Sequence, residues 1–233
     1  MEKAKIRRIT FANVSGFLVY NSQAVILVDT GHTRTTGQLS EALSAIGRSP
    51  GDVRLIVLTH THFDHSGGAA DIKKLTGAPL AVHASEAGFL RDGRTPFPRG
   101  TRWKGKMLVI LGRLFMPRLA GYPPVEPDIL VQKELDLRPY GIPGRVVHTP
   151  GHTAGSVSVL LESGDALVGD NVLGLGEHDH FPPFANDCEG VLKSWEIYTG
   201  SGMKNLFPAH GGRVGIETIA GEILSARRRY LKN

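Results

Sequence analysis

Hydrophobic positions fall into short runs separated by glycine, asparagine and aspartate, a pattern typical of a sheet-rich chain. Three opening strands are predicted, over 6–12, 16–20 and 24–28. Residues 36–46 instead carry apolar positions at helical spacing and stop at Gly47, which predicts a helix. The chain therefore begins with a small set of strands followed by a helix.

The same alternation continues along the rest of the chain. It predicts further strands over 54–58, 79–83, 129–133, 145–148, 156–161, 166–169 and 205–207. Helices are predicted over 67–75, from Ala84, over 188–199 and over 216–230. Because the order of strands and helices repeats, we expect an α/β fold of two similar halves, each placing a sheet against helices.

Two segments interrupt the pattern. Residues 91–127 are rich in Pro, Gly and Arg around an apolar and basic stretch, and we expect a helical lid insertion there within a single domain over 1–233. Residues 174–187 are also irregular, and we expect them to form a pocket loop. The candidate substrate-binding residues of that loop are His178, His180, Phe181 and Phe184.

Composition narrows the class of protein. Apolar residues make up 41% of the 233 residues, which excludes a disordered chain, and the single cysteine excludes a disulfide framework. The apolar runs are too short to span a membrane, and the basic N-terminus lacks the apolar core of a signal peptide. We therefore expect a cytoplasmic protein with no membrane span.

The net charge of +5 raises the question of a nucleic-acid partner. Part of the excess lies in Arg227, Arg228 and Arg229, at the end of a predicted helix where cations suit the helix dipole. We therefore expect a small-molecule substrate and no nucleic acid.

The segment from Thr59 to Gly68 carries the most chemical information, because it reads H-x-H-x-D-H after a predicted strand. In an extended loop, side chains two residues apart face the same way, so His60, His62 and Asp64 can converge, with His65 opening the next helix. Imidazole and carboxylate groups suit zinc, iron or manganese. The spacing indicates a metal site.

Three further polar residues follow predicted strands in the second half. His152 follows strand 145–148, Asp170 follows strand 166–169, and His210 follows strand 205–207. Loops at strand ends are where a sheet exposes functional side chains. Each residue alone is a weak signal, but the set agrees with the first motif.

These residues together resemble the motifs of the metallo-β-lactamase superfamily, and Asp29 in LVDTG matches its early aspartate. The resemblance covers about 29–212 and implies a four-layer αββα sandwich with two divalent transition-metal ions at one edge. By that analogy His60, His62 and His152 hold one metal, Asp64, His65 and His210 hold the other, and Asp170 bridges them. Zinc is the first expectation, with iron or manganese as alternatives.

The resemblance also implies a reaction. A hydroxide bridging the two metals would attack a small ester, thioester or lactone, with Asp64 and Asp170 as catalytic residues. Asp29 and Thr59 are expected to orient the ligands from behind. The chain resembles glyoxalase II and lactonase-type members of the family, although residues 171–188 lack the tyrosine that lactonases often carry after the bridging aspartate.

Several alternatives stay open. Asp170 argues against an antibiotic-hydrolysing enzyme, because those members typically carry cysteine or serine nearby. The runner-up is a mononuclear iron enzyme of the same fold that oxidises persulfides, and a third alternative is a nucleic-acid phosphodiesterase. The oligomeric state is open, with a homodimer as one possibility.

Overall fold

The computed structural model describes residues 2–101, 107, 121–176 and 178–231. Twelve strands are seen in these ranges: β1 Lys5–Phe11, β2 Val14–Tyr20, β3 Val25–Val28, β4 Val53–Val57, β5 Leu80–His83, β6 Ile129–Val131, β7 Glu134–Asp136, β8 Gly144–His148, β9 Val157–Leu161, β10 Asp165–Gly169, β11 Asn205–Pro208 and β12 Val214–Gly215. The α-helices are α1 Thr36–Ser44, α2 Phe63–Ser66, α3 Ala69–Thr76, α4 Ala87–Asp92, α5 Cys188–Gly200 and α6 Ile216–Tyr230.

The strands form two six-stranded sheets. The first sheet has the order β1-β2-β3-β4-β5-β6, with β3 to β6 parallel, and the second has the order β12-β11-β10-β9-β8-β7. In the second sheet β8 and β10 both pair antiparallel with β9, and β11 runs parallel to β10. The carboxyl ends of β8, β10 and β11 therefore meet at one edge, as do those of β3, β4 and β5 in the first sheet.

Alternating burial along the strands shows how the layers are stacked. In β3, Val25 and Leu27 pack with helices α1 and α3, while Ile26 and Val28 pack between the two sheets. In β10, Leu167 faces the space between the sheets, and its neighbours pack with Trp195 of α5. Both faces of the central strands are buried, so these strands are apolar throughout. The order of layers is helices, sheet, sheet, helices, which confirms the predicted αββα sandwich of two similar halves.

The sequence pattern placed most elements correctly but missed two strands. β7 has three residues at a sheet edge and β12 has two, and runs this short carry no readable period. The predicted break between the first two strands is a tight turn in which Ala12 adopts a φ of 59° and β2 begins at Val14.

The two irregular segments contact each other where the structure describes both. Thr101 donates its N–H to Pro183 O and its hydroxyl to Pro182 O, each at 3.0 Å, and Ala185 donates to Arg99 O at 2.8 Å. Residues 102–106 and 108–120 of the expected helical lid lie outside the described residues, so the lid stays a prediction. No helix in the described ranges is long and apolar enough to cross a bilayer.

Candidate metal centre

The first half supplies four ligand-type side chains from one continuous segment. β4 ends at Val57, and a loop then carries His60 and His62, whose backbone is extended at His62, just before α2 begins at Phe63 and carries Asp64 and His65 on its single turn. The following glycines let α2 pack against the loop after β3. A Cβ at Gly68 would lie 2.3 Å from Thr35 Oγ1, so only glycine fits there.

The second half supplies three more ligand-type side chains from three separate loops. His152 follows β8, Asp170 follows β10 directly, and His210 follows β11. These are the strands whose carboxyl ends share one edge, and the two sheets bring that edge against the β4 loop. The main chain links the halves here, since Val157 N–H donates to Thr59 O at 2.8 Å.

All seven side chains predicted as ligands come together in space. Their ligand atoms form overlapping groups in which every atom lies within 4.8 Å of the others: His60, His62 and His152; His60, His65 and Asp170; and Asp64, His65 and His210. Asp170 stands between the groups. Its Oδ2 lies 3.5 Å from His152 Nε2, and its Oδ1 lies 3.3 Å from His65 Nε2.

The chemistry of these atoms fits a metal ion. Four buried side-chain atoms have no hydrogen-bond partner among the described residues: Nε2 of His60, His62 and His65, and Oδ1 of Asp170. Leaving such groups buried and unpaired costs about 1–3 kcal/mol each. A cation among these atoms removes that cost, and imidazole with carboxylate is the donor set of zinc, iron and manganese.

Side-chain hydrogen bonds from behind the cluster fix which ring nitrogen faces inward. His65 Nδ1 donates to Asp29 Oδ2 at 2.8 Å, and His60 Nδ1 lies 3.1 Å from Thr59 Oγ1. Thr59 in turn donates its N–H and its hydroxyl to Asp29. Asp29 and Thr59 therefore leave the Nε2 atoms of both histidines facing inward, where they can bind a metal.

Main-chain carbonyls fix two more of the five imidazoles. His152 Nδ1 donates to Phe184 O at 2.8 Å, and His210 Nδ1 donates to Asn13 O at 2.9 Å. Sequence reasoning missed both contacts because a carbonyl acceptor is not tied to a residue type. It also gave no role to Asn171, whose side-chain Oδ1 accepts a hydrogen bond from the main-chain N–H of His152 at 3.2 Å.

The first group of imidazoles is held neutral. Burial lowers the pKa of His62 to about 3, with the charge of His152 acting in the same direction. Burial likewise lowers the pKa of His60 well below its ordinary value and lowers that of His152. Neutral imidazoles keep the lone pair that binds a metal.

In the second group, neighbouring carboxylates favour the protonated forms of the histidines His65 and His210. Burial by itself would lower the pKa of His65. The charges of Asp170, Asp29 and Asp64 outweigh this effect, so the pKa of His65 lies well above its ordinary value. The pKa of His210 is also raised, because Asp170 and Asp64 outweigh its burial. Burial raises the pKa of Asp64, but His65 and His210 outweigh it and lower the value to about 2.

The pKa of Asp170 is set by the same two opposing effects as that of Asp64, burial and the charges of neighbouring histidines. Burial favours its protonated form, yet the charges of His65 and His210 hold its pKa well below the usual range. Both carboxylates are therefore ionised at neutral pH, and negative charge faces the second group.

The candidate substrate-binding residues divide into two sets, and one part of that prediction needs correction. Phe181 is 3% exposed and stacks on Tyr230 at 3.9 Å between ring centroids, so it belongs to the core beneath α6. His180 is buried, and its Nδ1 lies 2.7 Å from Glu222 Oε1. Packing against α6 accounts for both residues, so we withdraw them from the substrate-binding set.

The other two residues of that set are placed differently. His178 is exposed, and Phe184 is half-buried with its carbonyl on His152. Phe184 therefore lies beside the cluster, and a substrate contact by either side chain stays a prediction.

Comparisons with known proteins agree with this architecture. A family model described as "Metallo-beta-lactamase superfamily" matches residues 9–210. A probable metallo-hydrolase of Methanocaldococcus jannaschii is 31% identical over 189 residues, which cover 80% of this chain and 82% of the relative. An acyl-coenzyme A thioesterase of Gallus gallus is 25% identical over 87% of this chain and 74% of its own length.

Some relatives are considerably longer than this chain. The match covers 60% of a beta-lactamase-like protein 2 homologue from Drosophila melanogaster and 52% of a lactamase-like protein from Neosartorya fischeri. Among solved structures, a metallo-beta-lactamase family protein of Thermus thermophilus has a TM-score of 0.68 at 23% identity, covering 98% of this chain and 80% of that chain. At that identity the likeness shows the fold. The family match over most of the chain shows that the protein belongs to the metallo-beta-lactamase superfamily.

Proposed function

We propose that this protein holds two divalent cations and hydrolyses a small carbonyl ester, thioester or lactone. The observation that carries the proposal is the position of Asp170, which presents Oδ2 to His152 and Oδ1 to His65 and His210. A carboxylate with one oxygen toward each group of ligands suits a bridge between two cations. It offsets their mutual repulsion.

The two groups of ligands have different expected roles. His60, His62 and His152 would hold the first cation through neutral nitrogens, and Asp64, His65 and His210 would hold the second. When bound, such cations supply Lewis acidity that polarises a carbonyl and lowers the pKa of water toward neutrality. Zinc is the expected metal, with iron or manganese as alternatives.

Asp64 is the candidate proton acceptor. Its Oδ2 lies 3.4 Å from His210 Nε2, and 14% of its side chain is exposed to solvent. The low pKa of this group keeps it ionised and able to orient the attacking water. Asp170 is expected to act together with it, as the second catalytic carboxylate.

A thioester is the first substrate class to test. The relative from Gallus gallus is named an acyl-coenzyme A thioesterase, and its match covers most of both chains. The shared family supports testing the same bond type here. The identity of the acyl group and of the thiol is a separate question, which a substrate panel addresses.

The test combines metal analysis with a substrate panel. Protein purified without added metal is analysed for zinc, iron and manganese, and then assayed on acyl thioesters, aryl esters and lactones of matched acyl length. We expect about two transition-metal ions per chain and hydrolysis of at least one class, lost on chelation. One iron per chain with oxygen consumption, or hydrolysis confined to phosphodiesters, would contradict the proposal.

A further inference from the structure

A buried carboxylate outside the ligand set lies beside the metal centre. Glu86 ends the short 3₁₀ turn Ala84–Glu86 that follows β5, and it is 1% exposed. Burying a carboxylate is costly unless several donors satisfy it. The donors that Glu86 uses therefore indicate what the residue is retained for.

Each oxygen of Glu86 holds a different loop. Oε2 accepts the Thr61 N–H at 3.1 Å and also accepts the Thr61 hydroxyl. Oε1 accepts the Gly155 N–H at 3.2 Å. One carboxylate thereby joins a loop of the first sheet to a loop of the second.

These two loops carry the three-histidine group. Thr61 lies between His60 and His62, and Gly155 lies three residues after His152. The contact with Gly155 is tight, since a Cβ there would lie 2.4 Å from Glu86 Cγ. The carboxylate is therefore in direct contact with the main chain of both loops that carry the group.

We propose that Glu86 is a positioning residue that sets the distance between His152 and the pair His60 and His62. It does so through the main chain of both loops, without touching a metal or a substrate. The inference rests on the proposed first cation of the site. It assigns a role in metal affinity to a residue outside the metallo-hydrolase motif.

The carboxylate chemistry is specific. A glutamine at this position offers one acceptor oxygen and one NH₂ group. If the oxygen faces Thr61, the NH₂ group meets the Gly155 N–H, donor against donor, and the reverse orientation breaks the Thr61 contact. Glu86→Gln therefore keeps the size of the side chain and cuts one of its two links.

The experiment measures zinc affinity in the intact, zinc-loaded chain by competition with a chelator of known affinity. We expect Glu86→Gln to weaken binding of the first zinc ion, the one assigned to the three-histidine group, by about 10–100-fold, the usual cost of losing a partner that orients metal ligands. Glu126→Gln is the matched control, because Glu126 pairs with Arg91 on the surface with 65% of its side chain exposed. The control is expected to bind zinc like the wild type.

Thr61→Val is a second variant that removes the hydroxyl donor to Glu86, along with the hydroxyl's contact to Thr95 Oγ1 at 3.0 Å, and keeps the Thr61 N–H. We expect a smaller loss of zinc affinity than in Glu86→Gln, and it provides the test if that variant does not fold. Urea unfolding of the metal-free proteins gives the stability of each variant separately. A lower unfolding free energy with unchanged zinc affinity in the folded variants would overturn the inference.

The outcome for Glu86 is separable from that for the proposed function. A wild-type protein that binds two zinc ions but hydrolyses no ester, thioester or lactone contradicts the proposed reaction, while the affinity loss in Glu86→Gln still supports the positioning role. Conversely, an active enzyme whose Glu86→Gln variant binds zinc normally overturns the positioning role alone.

Discussion

Asp29 Oδ2 accepts a hydrogen bond from His65 Nδ1 at 2.8 Å, and both side chains are almost fully buried. The same carboxylate accepts the Thr59 N–H, so Asp29 connects the end of β3 to the loop that follows β4. Asp29 itself adopts a φ of 60°, a backbone conformation that is unfavourable for most residues other than glycine. The surrounding contacts hold that conformation, which places the carboxylate behind His65.

Asp29→Asn is expected to weaken the second cation more than the first. The new NH₂ group can donate to His65 Nδ1, which moves the imidazole proton to Nε2 and blocks the ligating lone pair. We expect about 10–100-fold lower affinity for that cation. Zinc titration checks this, with the exposed Asp92→Asn as control, and equal losses at both sites would contradict it.

Asp170→Ala is expected to remove most activity without unfolding the protein. Loss of an outer partner of a ligand costs about 10–100-fold, and loss of a direct bridging carboxylate should cost at least as much. We expect metal content to fall from about two ions per chain to about one, with an unchanged circular dichroism spectrum. Wild-type turnover with both metals retained would show that Asp170 does not bridge.

The two ligand groups are expected to differ in how metal binding depends on pH. The lowered pKa of His62 leaves it neutral at pH 7, so the first cation displaces few protons. The raised pKa values of His65 and His210 favour their protonated forms in the metal-free protein, so the second cation must displace more protons than the first. Affinity for the second cation should therefore fall more steeply as pH decreases.

Calorimetric zinc titrations at pH 6 and pH 8, in buffers of different ionisation enthalpy, measure the protons released at each step. We expect more protons from the second step than from the first. Equal release from both steps would show that the charge states of the two groups do not differ in this way.

Outside the metal centre, a stacked pair of histidines is expected to make the free energy of unfolding depend on pH. The rings of His83 and His148 lie 4.0 Å apart at 15°, one from each sheet. Burial and the charge of His148 lower the pKa of His83, and its Nδ1 accepts the Ser85 N–H at 3.2 Å. The unfolded chain therefore binds a proton more readily, and this contribution to stability is lost as pH falls below about 6.5.

His148→Phe keeps the stack and removes the mutual repulsion. We expect the decrease in unfolding free energy between pH 7.5 and pH 5 to be smaller than in the wild type by a fraction of about 1 kcal/mol, because the site is partly screened by solvent. Urea unfolding at both pH values measures it. The exposed His178→Phe serves as control, and an unchanged difference in His148→Phe would contradict the prediction.

Phe181→Ala is expected to affect stability and not substrate binding. Phe181 packs between Trp195 and Tyr230, and emptying such a position costs about 3–5 kcal/mol. We expect this loss in the free energy of unfolding, with KM unchanged in the fraction that stays folded. Phe184→Ala, on the half-buried neighbour beside His152, is expected to raise KM. The opposite ranking of the two variants would restore Phe181 to the pocket.

Sequence reasoning predicted the ligand cluster because its residues are chemically distinctive and follow strand ends. His60, His62, Asp64 and His65 lie in one short motif, and the family order then indicates the later ligands. The fold class followed from the repeated order of strands and helices, which the sheets confirm. Local spacing and side-chain chemistry, together with the resemblance to the family, were sufficient for this part.

The remaining parts depend on tertiary contacts. Asn13 and Phe184 act through carbonyl oxygens, and every residue has a carbonyl, so composition gives no signal for them. Phe181 stood in an irregular segment and was predicted to line a pocket, but α6, more than thirty residues later, covers it. Glu86 is an ordinary acid in the sequence, and only its burial and its two-loop contact distinguish it.

The contact between His210 and Asn13 spans 197 positions of the chain. During synthesis at about 5–20 residues per second, the turn carrying Asn13 emerges roughly 10–40 seconds before its histidine. The three-histidine group is complete by His152, so a partly synthesised chain already contains one full set of ligands. The second set closes only when β11 has joined its sheet. The two cations are thus expected to bind one after the other, and the second one can bind only after the final strands have folded.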